Sequence, residues 1–320
     1  LVLPIKIIAL ENGQRGSDRY IMERNMSEFY GGCEKGANRS AEKLQRGRVG
    51  ARKRREENAK EEMIMRTFKI ALCQQKIRDS VEENFEAAAA AVRRAAEGGA
   101  EIAILPEMFI CHFIPADMQE KAQELGGSYM QRLSRMASEN GIWLVGGSFP
   151  ETAGEALYNT CPVFSPDGKT AGIYRKRYLF DVDIPGKVRT CESTVFSTGN
   201  ESLIVDTGFA KIGVALCFDI RFPQLFIDMA AAGADLIAVP SAFSFWTGPA
   251  HWELLNRARA VDAQVYVAGV DVAYREDAPF HNYGCSRVCD PWGDVIAGAD
   301  RDEELFFAEI DPKRTEEVRQ

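Results

Sequence analysis

Short apolar runs alternate with longer amphipathic runs from residue 67 to the end of the chain. Apolar runs of this length, rich in β-branched residues, are typical of buried strands, and the amphipathic runs are typical of surface helices. The pattern predicts helices over 80–97, 117–138, 222–232 and 251–263. The strands that it predicts are FKIALC, AEIAILP, IWLVGGSF, LYNTCPVFS, TAGIYRK, SLIVDT, KIGVALC, DLIAVP, QVYVAGV, GCSRVCD, DVIAG and LFFAEI.

Local signals refine this pattern into a fold class. Asp79 and Ser80 precede the first helix and two glycines follow it, which are start and stop signals. The turn sequences SPDGK at 165 and DPWGD at 290 each join two strands and predict hairpins. Helix and strand alternation mixed with hairpins predicts an α/β fold with mixed sheets, in one domain over residues 66–320.

Residues 1–65 differ from the rest of the chain. They carry a net charge of +4, are punctuated by glycine and include the basic cluster RKRR at 52–55. Because this segment has no apolar periodicity, we expect it to be disordered or to be a non-native extension. Met63 or Met65 would then be a natural start, since the first predicted strand follows at once.

Charge and cysteine content narrow the function classes. Residues 66–320 carry a net charge of −12, which argues against binding to nucleic acid or to an anionic membrane surface. The chain has eight cysteines but no CxxC pair and only three histidines, so we expect reduced thiols and no metal site or cofactor. No apolar run approaches the length of a spanning helix, and we expect a cytoplasmic protein.

Three reactive side chains stand where a predicted strand ends. Glu107 follows AEIAILP, Lys176 lies in GIYRKRYLF, and Cys217 ends the run GVALC. Each has an ordinary interpretation: a solvated turn carboxylate, a basic edge strand and a buried core cysteine. Each also has a catalytic one, in which a carboxylate base and a lysine ammonium activate a thiol and stabilise an oxyanion without a metal.

The motifs LPEMF, YRKRYLFDVDIPG and ALCFDIRFP, in this order, resemble the Glu-Lys-Cys motifs of the nitrilase superfamily of carbon-nitrogen hydrolases. The resemblance extends to GGSFPE, ALYNTCPVFSPDGK, TGPAHWELLNRARAVDAQVYVAG and YGCSRVCDPWGDV, and so covers about residues 67–320. It is greatest to the nitrilase-like amidases, the branch that includes ω-amidase and deaminated-glutathione amidase.

The resemblance implies a four-layer α-β-β-α sandwich and a role for each motif residue. Cys217 would be the nucleophile, Glu107 the general base and then acid, and Lys176 the oxyanion cation, helped by the backbone N–H of Phe218. Glu192 in TCESTVF matches a second glutamate of this branch, which would position the substrate. The reaction would convert a small amide and water to acid and ammonia through a thioester, in a homodimer or higher homo-oligomer.

Three differences from the family pattern concern the substrate and the assembly. Tyr178 stands where the family usually has a histidine, and Phe113 stands where ω-amidases have a tyrosine, so a hydroxyl contact is lost there. The chain also stops at EEVRQ, before a tail that in relatives commonly contributes to dimer contacts, so we expect either a truncated C-terminus or a different assembly.

Candidate substrate-binding residues complete the hypothesis. Arg221 would bind the carboxylate of a dicarboxylic acid monoamide, or else pair with Asp219 or another acid. His251 and Trp252 would shape the pocket with Phe113, or would only open the helix that Pro249 begins. The leading activity is ω-amidase, on substrates such as α-ketoglutaramate. The alternatives are deaminated-glutathione amidase, N-carbamoyl amino acid hydrolase and a catalytically silent binding protein.

Overall fold

The computed structural model describes residues 66–186 and 188–320, which form two mixed β-sheets, a short ribbon and flanking helices. The predictions made for residues 1–65 lie outside these residues. The first sheet has the order β15-β1-β2-β3-β5-β4, with β6 added on β5. Its strands are β1 (Phe68–Gln74), β2 (Ile102–Ile104), β3 (Trp143–Val145), β4 (Phe149–Ala153), β5 (Ala156–Phe164), β6 (Thr170–Arg175) and β15 (Glu304–Ile310).

The second sheet has the order β14-β13-β12-β11-β10-β9, and a separate two-stranded ribbon pairs β7 with β8. Strands β1 to β3 are mutually parallel, as are β10 to β12, while the hairpins β5–β6 and β13–β14 are antiparallel as the turn sequences predicted. The strands are β7 (Asp181–Ile184), β8 (Val188–Cys191), β9 (Leu203–Asp206), β10 (Lys211–Val214), β11 (Leu236–Ser241), β12 (Tyr266–Asp271), β13 (Arg287–Cys289) and β14 (Val295–Gly298).

The helices cover the outer face of each sheet. The described residues form α1 (Val81–Glu97), α2 (Pro115–Glu120), α3 (Ser128–Asn140), α4 (Pro223–Ala231), α5 (Gly248–Ala263) and α6 (Pro312–Arg319), with 3-10 turns at Glu192–Thr194 and Cys217–Arg221. The predicted start of α1 is confirmed, because the Ser80 hydroxyl accepts a hydrogen bond from the Glu83 N–H.

Two sequence predictions about elements need correction. The single helix predicted over 117–138 is two helices, because the chain between them leaves the helix to pair with β4. There the Gln123 N–H donates to the Pro150 carbonyl at 3.0 Å, and Gly127 then serves as the N-cap of α3. The ribbon β7–β8 and helix α6 were not predicted; α6 is strongly polar, so it lacks the apolar periodicity on which the prediction relied.

Alternating side chains of the central strands build the four layers. On β1, Ile70 and Leu72 pack between the two sheets, while Ala71 and Cys73 pack against the outer helices. On β11, Leu236 and Ala238 face the other sheet, while Ile237 and Val239 face α4 and α5. Strands buried on both faces read as continuous apolar runs, which is why the sequence pattern located them. The predicted α-β-β-α sandwich is confirmed.

A close backbone contact supports the end of β6. The N–H of Gly199 donates to the carbonyl of Lys176 at 2.8 Å, so the loop that carries Gly199 lies directly on the chain at 175–176. A Cβ atom on Gly199 would stand 2.2 Å from the carbonyl oxygen of Arg175, which is backbone and cannot rotate away. Glycine is therefore required here by the close approach of two backbones.

We expect Gly199→Ala to destabilise the protein, because the two segments must separate to admit the methyl group. Overpacking of this kind costs about 1–3 kcal/mol, which lowers the melting temperature of a domain of this size by roughly 2–12 °C. Thermal unfolding followed by circular dichroism measures the change. Gly126→Ala is the control, since its Cβ would meet nothing within 4 Å; equal melting temperatures of the two variants would contradict the prediction.

Candidate active site

Side chains from the ends of several strands meet in one buried cluster. Glu107 follows β2, Lys176 follows β6, Glu192 follows β8 and Cys217 follows β10. All four are almost fully buried, with exposed fractions of 0%, 1%, 1% and 4%. The structure therefore brings together the four residues that the sequence predicted as catalytic. Their roles in catalysis stay predictions.

Lys176 lies at the centre of this cluster between two carboxylates. Its Nζ donates to Glu107 Oε1 at 2.8 Å and to Glu192 Oε2 at 2.8 Å. Burial by itself lowers the pKa of the Lys176 ammonium, but Glu107 and Glu192 outweigh it and hold this pKa above its ordinary value. The lysine is therefore a permanent cation at neutral pH.

Backbone N–H groups complete the coordination of both carboxylates. Glu107 Oε2 accepts from the Ala242 N–H at 2.8 Å, at the end of β11. Glu192 Oε2 accepts from the Phe180 N–H at 2.6 Å. Burial raises the pKa of Glu192, while Lys176 opposes that shift. These bonds fix both carboxylates relative to the sheet ends, so neither can turn away from the lysine.

Cys217 occupies a strained corner after β10, as the first residue of a 3-10 turn. Its φ is +43°, a conformation that non-glycine residues rarely adopt and that is often found at functional sites. Burial and the nearby Glu107 carboxylate raise the pKa of the Cys217 thiol, whereas Lys176 lowers it. The resting thiol is therefore protonated and has a carboxylate beside it.

Asp219 ties this corner to the segment that carries Lys176. Its carboxylate accepts from the Leu216 N–H at 2.8 Å on one side, and from the Tyr174 hydroxyl at 2.7 Å and the Tyr178 N–H at 2.9 Å on the other. Burial raises the pKa of Asp219 to about 6. These bonds link the corner at Leu216 and Cys217 to the end of β6. Asp219 therefore sets the position of Cys217 relative to Lys176.

Arg221 lies close to this corner without an acidic partner. Asp219 has its own bonds, and within residues 66–186 and 188–320 Arg221 forms no salt bridge, so the predicted alternative of an ion pair is not observed. Its Nη2 contacts His251 Nδ1 at 3.2 Å, and its guanidinium lies over the rings of Phe218 and Phe243 at 5.4 and 5.5 Å. A half-buried cation in this state is available to bind an anion.

The other predicted pocket residues lie in two different environments. The Phe113 ring is 5.5 Å from Lys176 Nζ and lines a cavity of about 250 Å³ together with Ser244, Trp246 and Phe280. Trp252 is not part of the cluster: it is fully buried between α5 and the second sheet, where its Nε1 donates to the Cys285 carbonyl at 2.8 Å. Trp252 is therefore a core residue and exposes no surface to a pocket.

Sequence reasoning missed two residues of the site. Asn159 on β5 donates from Nδ2 to both Glu107 and Glu192, and Asp219 holds the nucleophile corner. Asn159 had a readable signal, because it is an amide inside the otherwise strand-like LYNTCPVF. The residue at the family's histidine position, Tyr178, stacks on Phe222 with ring centroids 3.5 Å apart.

Comparison with known proteins identifies the family of this chain. The carbon-nitrogen hydrolase family profile matches residues 69–320. The omega-amidase NIT2 of Mus musculus is 43% identical over 256 residues, which are 80% of this chain and 93% of the relative, and that of Homo sapiens is 42% identical with the same coverage.

Solved structures show the same fold. Saccharomyces cerevisiae Nit3, a member of branch 10 of the nitrilase superfamily, superposes with a TM-score of 0.74 at 35% identity, over 81% of this chain and 95% of that one. The C. elegans NitFhit protein gives a TM-score of 0.71 at 34% identity, over 79% and 63%. The family match over most of the chain and the relatives above 40% identity show that this protein belongs to the carbon-nitrogen hydrolase family.

Proposed function

We propose that this protein is an ω-amidase that hydrolyses the terminal amide of a small dicarboxylic acid monoamide, such as α-ketoglutaramate, to acid and ammonia. The observation that carries the proposal is the buried Lys176, bonded to Glu107 and Glu192 beside a strained Cys217. The similarity to relatives named omega-amidase supports it. An enzyme of this family acts on non-peptide carbon-nitrogen bonds, and the thiol, carboxylate and ammonium of this site are groups suited to such a reaction.

The first half of the reaction forms a thioester. Cys217 Sγ attacks the amide carbonyl carbon while Glu107 takes the thiol proton. An ammonium group has three donor hydrogens, and Glu107 and Glu192 occupy two of those on Lys176, so the third can stabilise the oxyanion. The Phe218 N–H, which follows the strained residue, is the second oxyanion donor. The carbon-nitrogen bond then breaks as Glu107 returns the proton to the leaving ammonia.

The second half consumes water. Glu107, again a carboxylate, takes a proton from a water molecule whose oxygen attacks the thioester carbonyl. The carbon-sulfur bond breaks, the thiolate of Cys217 regains a proton from Glu107, and the free acid leaves. Glu192 remains a carboxylate throughout, so it holds Lys176 in place while the charge on Glu107 changes.

Arg221 is the proposed receptor for the substrate carboxylate. It is the cation beside the nucleophile that has no acid partner within the described part of the chain. Burial and the charge of Arg221 lower the pKa of His251, so His251 is neutral and its Nδ1 can accept from the guanidinium at 3.2 Å. His251 thus orients Arg221 without neutralising it, which leaves the positive charge for a carboxylate ligand.

Assembly and location are further parts of the proposal. A homodimer is supported by apolar side chains exposed on the outer helices, Ile227 on α4 and Leu254 and Val261 on α5. A reducing compartment such as the cytoplasm is supported by seven free cysteines among the described residues. Within 66–186 and 188–320, no helix is both long and apolar enough to cross a bilayer.

Replacing the nucleophile tests the mechanism. We expect Cys217→Ala to reduce ammonia release from α-ketoglutaramate and succinamate by about a thousandfold or more, because no thioester can form. A coupled ammonia assay measures the rate, with deaminated glutathione and an N-carbamoyl amino acid as alternative substrates. Cys289→Ala, a second buried cysteine, is the control and should keep the native rate per folded molecule. Full activity of Cys217→Ala would refute the mechanism.

Removing the charge of Glu107 and removing the charge of Lys176 should shift the pKa of the Cys217 thiol in opposite directions. Because the Glu107 carboxylate raises the pKa of Cys217, Glu107→Gln should form the thiolate at lower pH than the native enzyme does, although turnover is lost. Because Lys176 lowers that pKa, Lys176→Met should form the thiolate at higher pH. The pH dependence of iodoacetamide labelling of Cys217, followed by mass spectrometry, measures both; shifts in the same direction would contradict this assignment.

Replacing Arg221 tests whether this residue binds the substrate carboxylate or takes part in the chemical steps. We expect Arg221→Met to raise KM for succinamate by roughly ten- to a hundredfold, the value of a charged hydrogen-bonded pair, and to leave KM for a neutral amide such as butyramide unchanged. Steady-state kinetics on both amides measure the split. Arg257→Met is the control, because it removes a charge whose side-chain partners among the described residues are the Gly293 carbonyl and Glu253. An equal loss on both amides would show that Arg221 has a structural role.

A further inference from the structure

Asn159 donates hydrogen bonds to both glutamates of the cluster, as Lys176 does. It projects from β5 and is fully buried. Its Nδ2 donates to Glu107 Oε1 at 2.8 Å and to Glu192 Oε1 at 3.0 Å. Glu107 and Glu192 are 85 residues apart in the chain. Within 66–186 and 188–320, Lys176 and Asn159 are the two side chains that bond to both of them.

The chemistry of the cluster fixes the orientation of this amide. An ionised carboxylate only accepts hydrogen bonds, so the group placed between two of them must be the NH₂ end. Turning the amide over would place its carbonyl oxygen against two negative oxygens. The observed orientation is therefore the only one that both glutamates tolerate while they are ionised.

This orientation leaves the other end of the amide without a partner. Within the described residues, Asn159 Oδ1 is buried and accepts no hydrogen bond. A buried carbonyl in this state is unfavourable, and most buried polar atoms in proteins avoid it. The two bonds that Nδ2 donates to carboxylates are charge-assisted, and such bonds are about twice as strong as neutral ones, so they compensate for the unsatisfied oxygen.

We propose that Asn159 is a positioning residue of the amidase reaction, which holds Glu107 and Glu192 at a fixed separation around Lys176. This inference rests on the proposed function. Among the described residues, the Asn159 side chain hydrogen-bonds to neither Cys217 nor Arg221; it acts through the two carboxylates that it bridges. It keeps Glu107 aligned when that residue gains and loses the substrate proton, because the second bond anchors the amide to Glu192, whose charge does not change.

A pH profile distinguishes positioning from a purely structural role. Asn159 donates to the ionised form of the carboxylates, and its bond lowers the pKa of Glu192. Loss of the amide should therefore move the acidic limb of kcat/KM to higher pH. The other titratable groups that face the two carboxylates are Lys176 after β6, Cys217 after β10, Cys161 on β5 and Asp271 on β12; they are the same in native and variant proteins.

The experiment compares Asn159→Leu with the native enzyme on succinamate across pH. Leucine has nearly the same size but donates no hydrogen bond. We expect kcat to fall roughly ten- to a hundredfold with a smaller change in KM, and the acidic limb to shift upward. Asn159→Ser, whose hydroxyl can donate only one of the two bonds, should lie between the leucine variant and the native enzyme, and it gives a second readout if the leucine variant folds poorly.

The chain offers a matched control in Asn256 on α5. Asn256 is also fully buried, donates from Nδ2 to the Trp252 carbonyl at 2.8 Å and has a partnerless Oδ1 among the described residues. Asn256→Leu should lower the melting temperature comparably while the pH profile stays native. If Asn159→Leu behaves like this control, the role of Asn159 is refuted and the amidase proposal stands. If the native enzyme releases no ammonia from any amide tested, the proposed function itself fails.

Discussion

The buried ammonium of Lys176 is the charge on which the site depends. An ammonium and two carboxylates removed from water would each lose several kcal/mol of hydration, and only close bonds inside the protein compensate for this. Glu107 and Glu192 provide those bonds to the lysine, while Asn159, Ala242 and Phe180 provide them to the glutamates. Removal of one partner leaves an uncompensated charge, so the cluster acts as a unit.

The sandwich makes this cluster possible because it brings strand ends from both sheets to one place. Glu107, Lys176 and Asn159 belong to the first sheet or follow it, while Cys217 and the N–H of Ala242 follow strands of the second. The apolar layer between the sheets holds these ends together, and Asp219 adds a polar cross-link through Tyr174 and Tyr178. Apolar packing thus sets the overall distance and hydrogen bonds set the final geometry.

Opposing electrostatic effects act on the nucleophile. Burial and Glu107 favour the neutral thiol, and Lys176 favours the thiolate, so the resting group is neutral but lies beside the carboxylate that is proposed as its base. The same lysine can then stabilise the negative charge that moves to the substrate oxygen. In the proposed mechanism one fixed cation therefore stabilises two successive anions, and both form at the corner where the strained backbone holds the Cys217 thiol.

The sequence by itself determined the strands that are buried on both faces and the hairpins at 165 and 290, because apolar runs and turn residues are local properties of the chain. Motifs are local as well, so the sequence also indicated Glu107, Lys176 and Cys217 as candidate catalytic residues. Only the tertiary structure decided which groups bond to which. Asn159 meets Glu107 across 52 residues and Asp219 meets Tyr174 across 45, and no local pattern encodes such pairs. Trp252 shows the same limit, since its place in a helical motif did not reveal that its ring faces the core. Burial depends on what packs against a residue. That is known only when the sheets and helices are assembled.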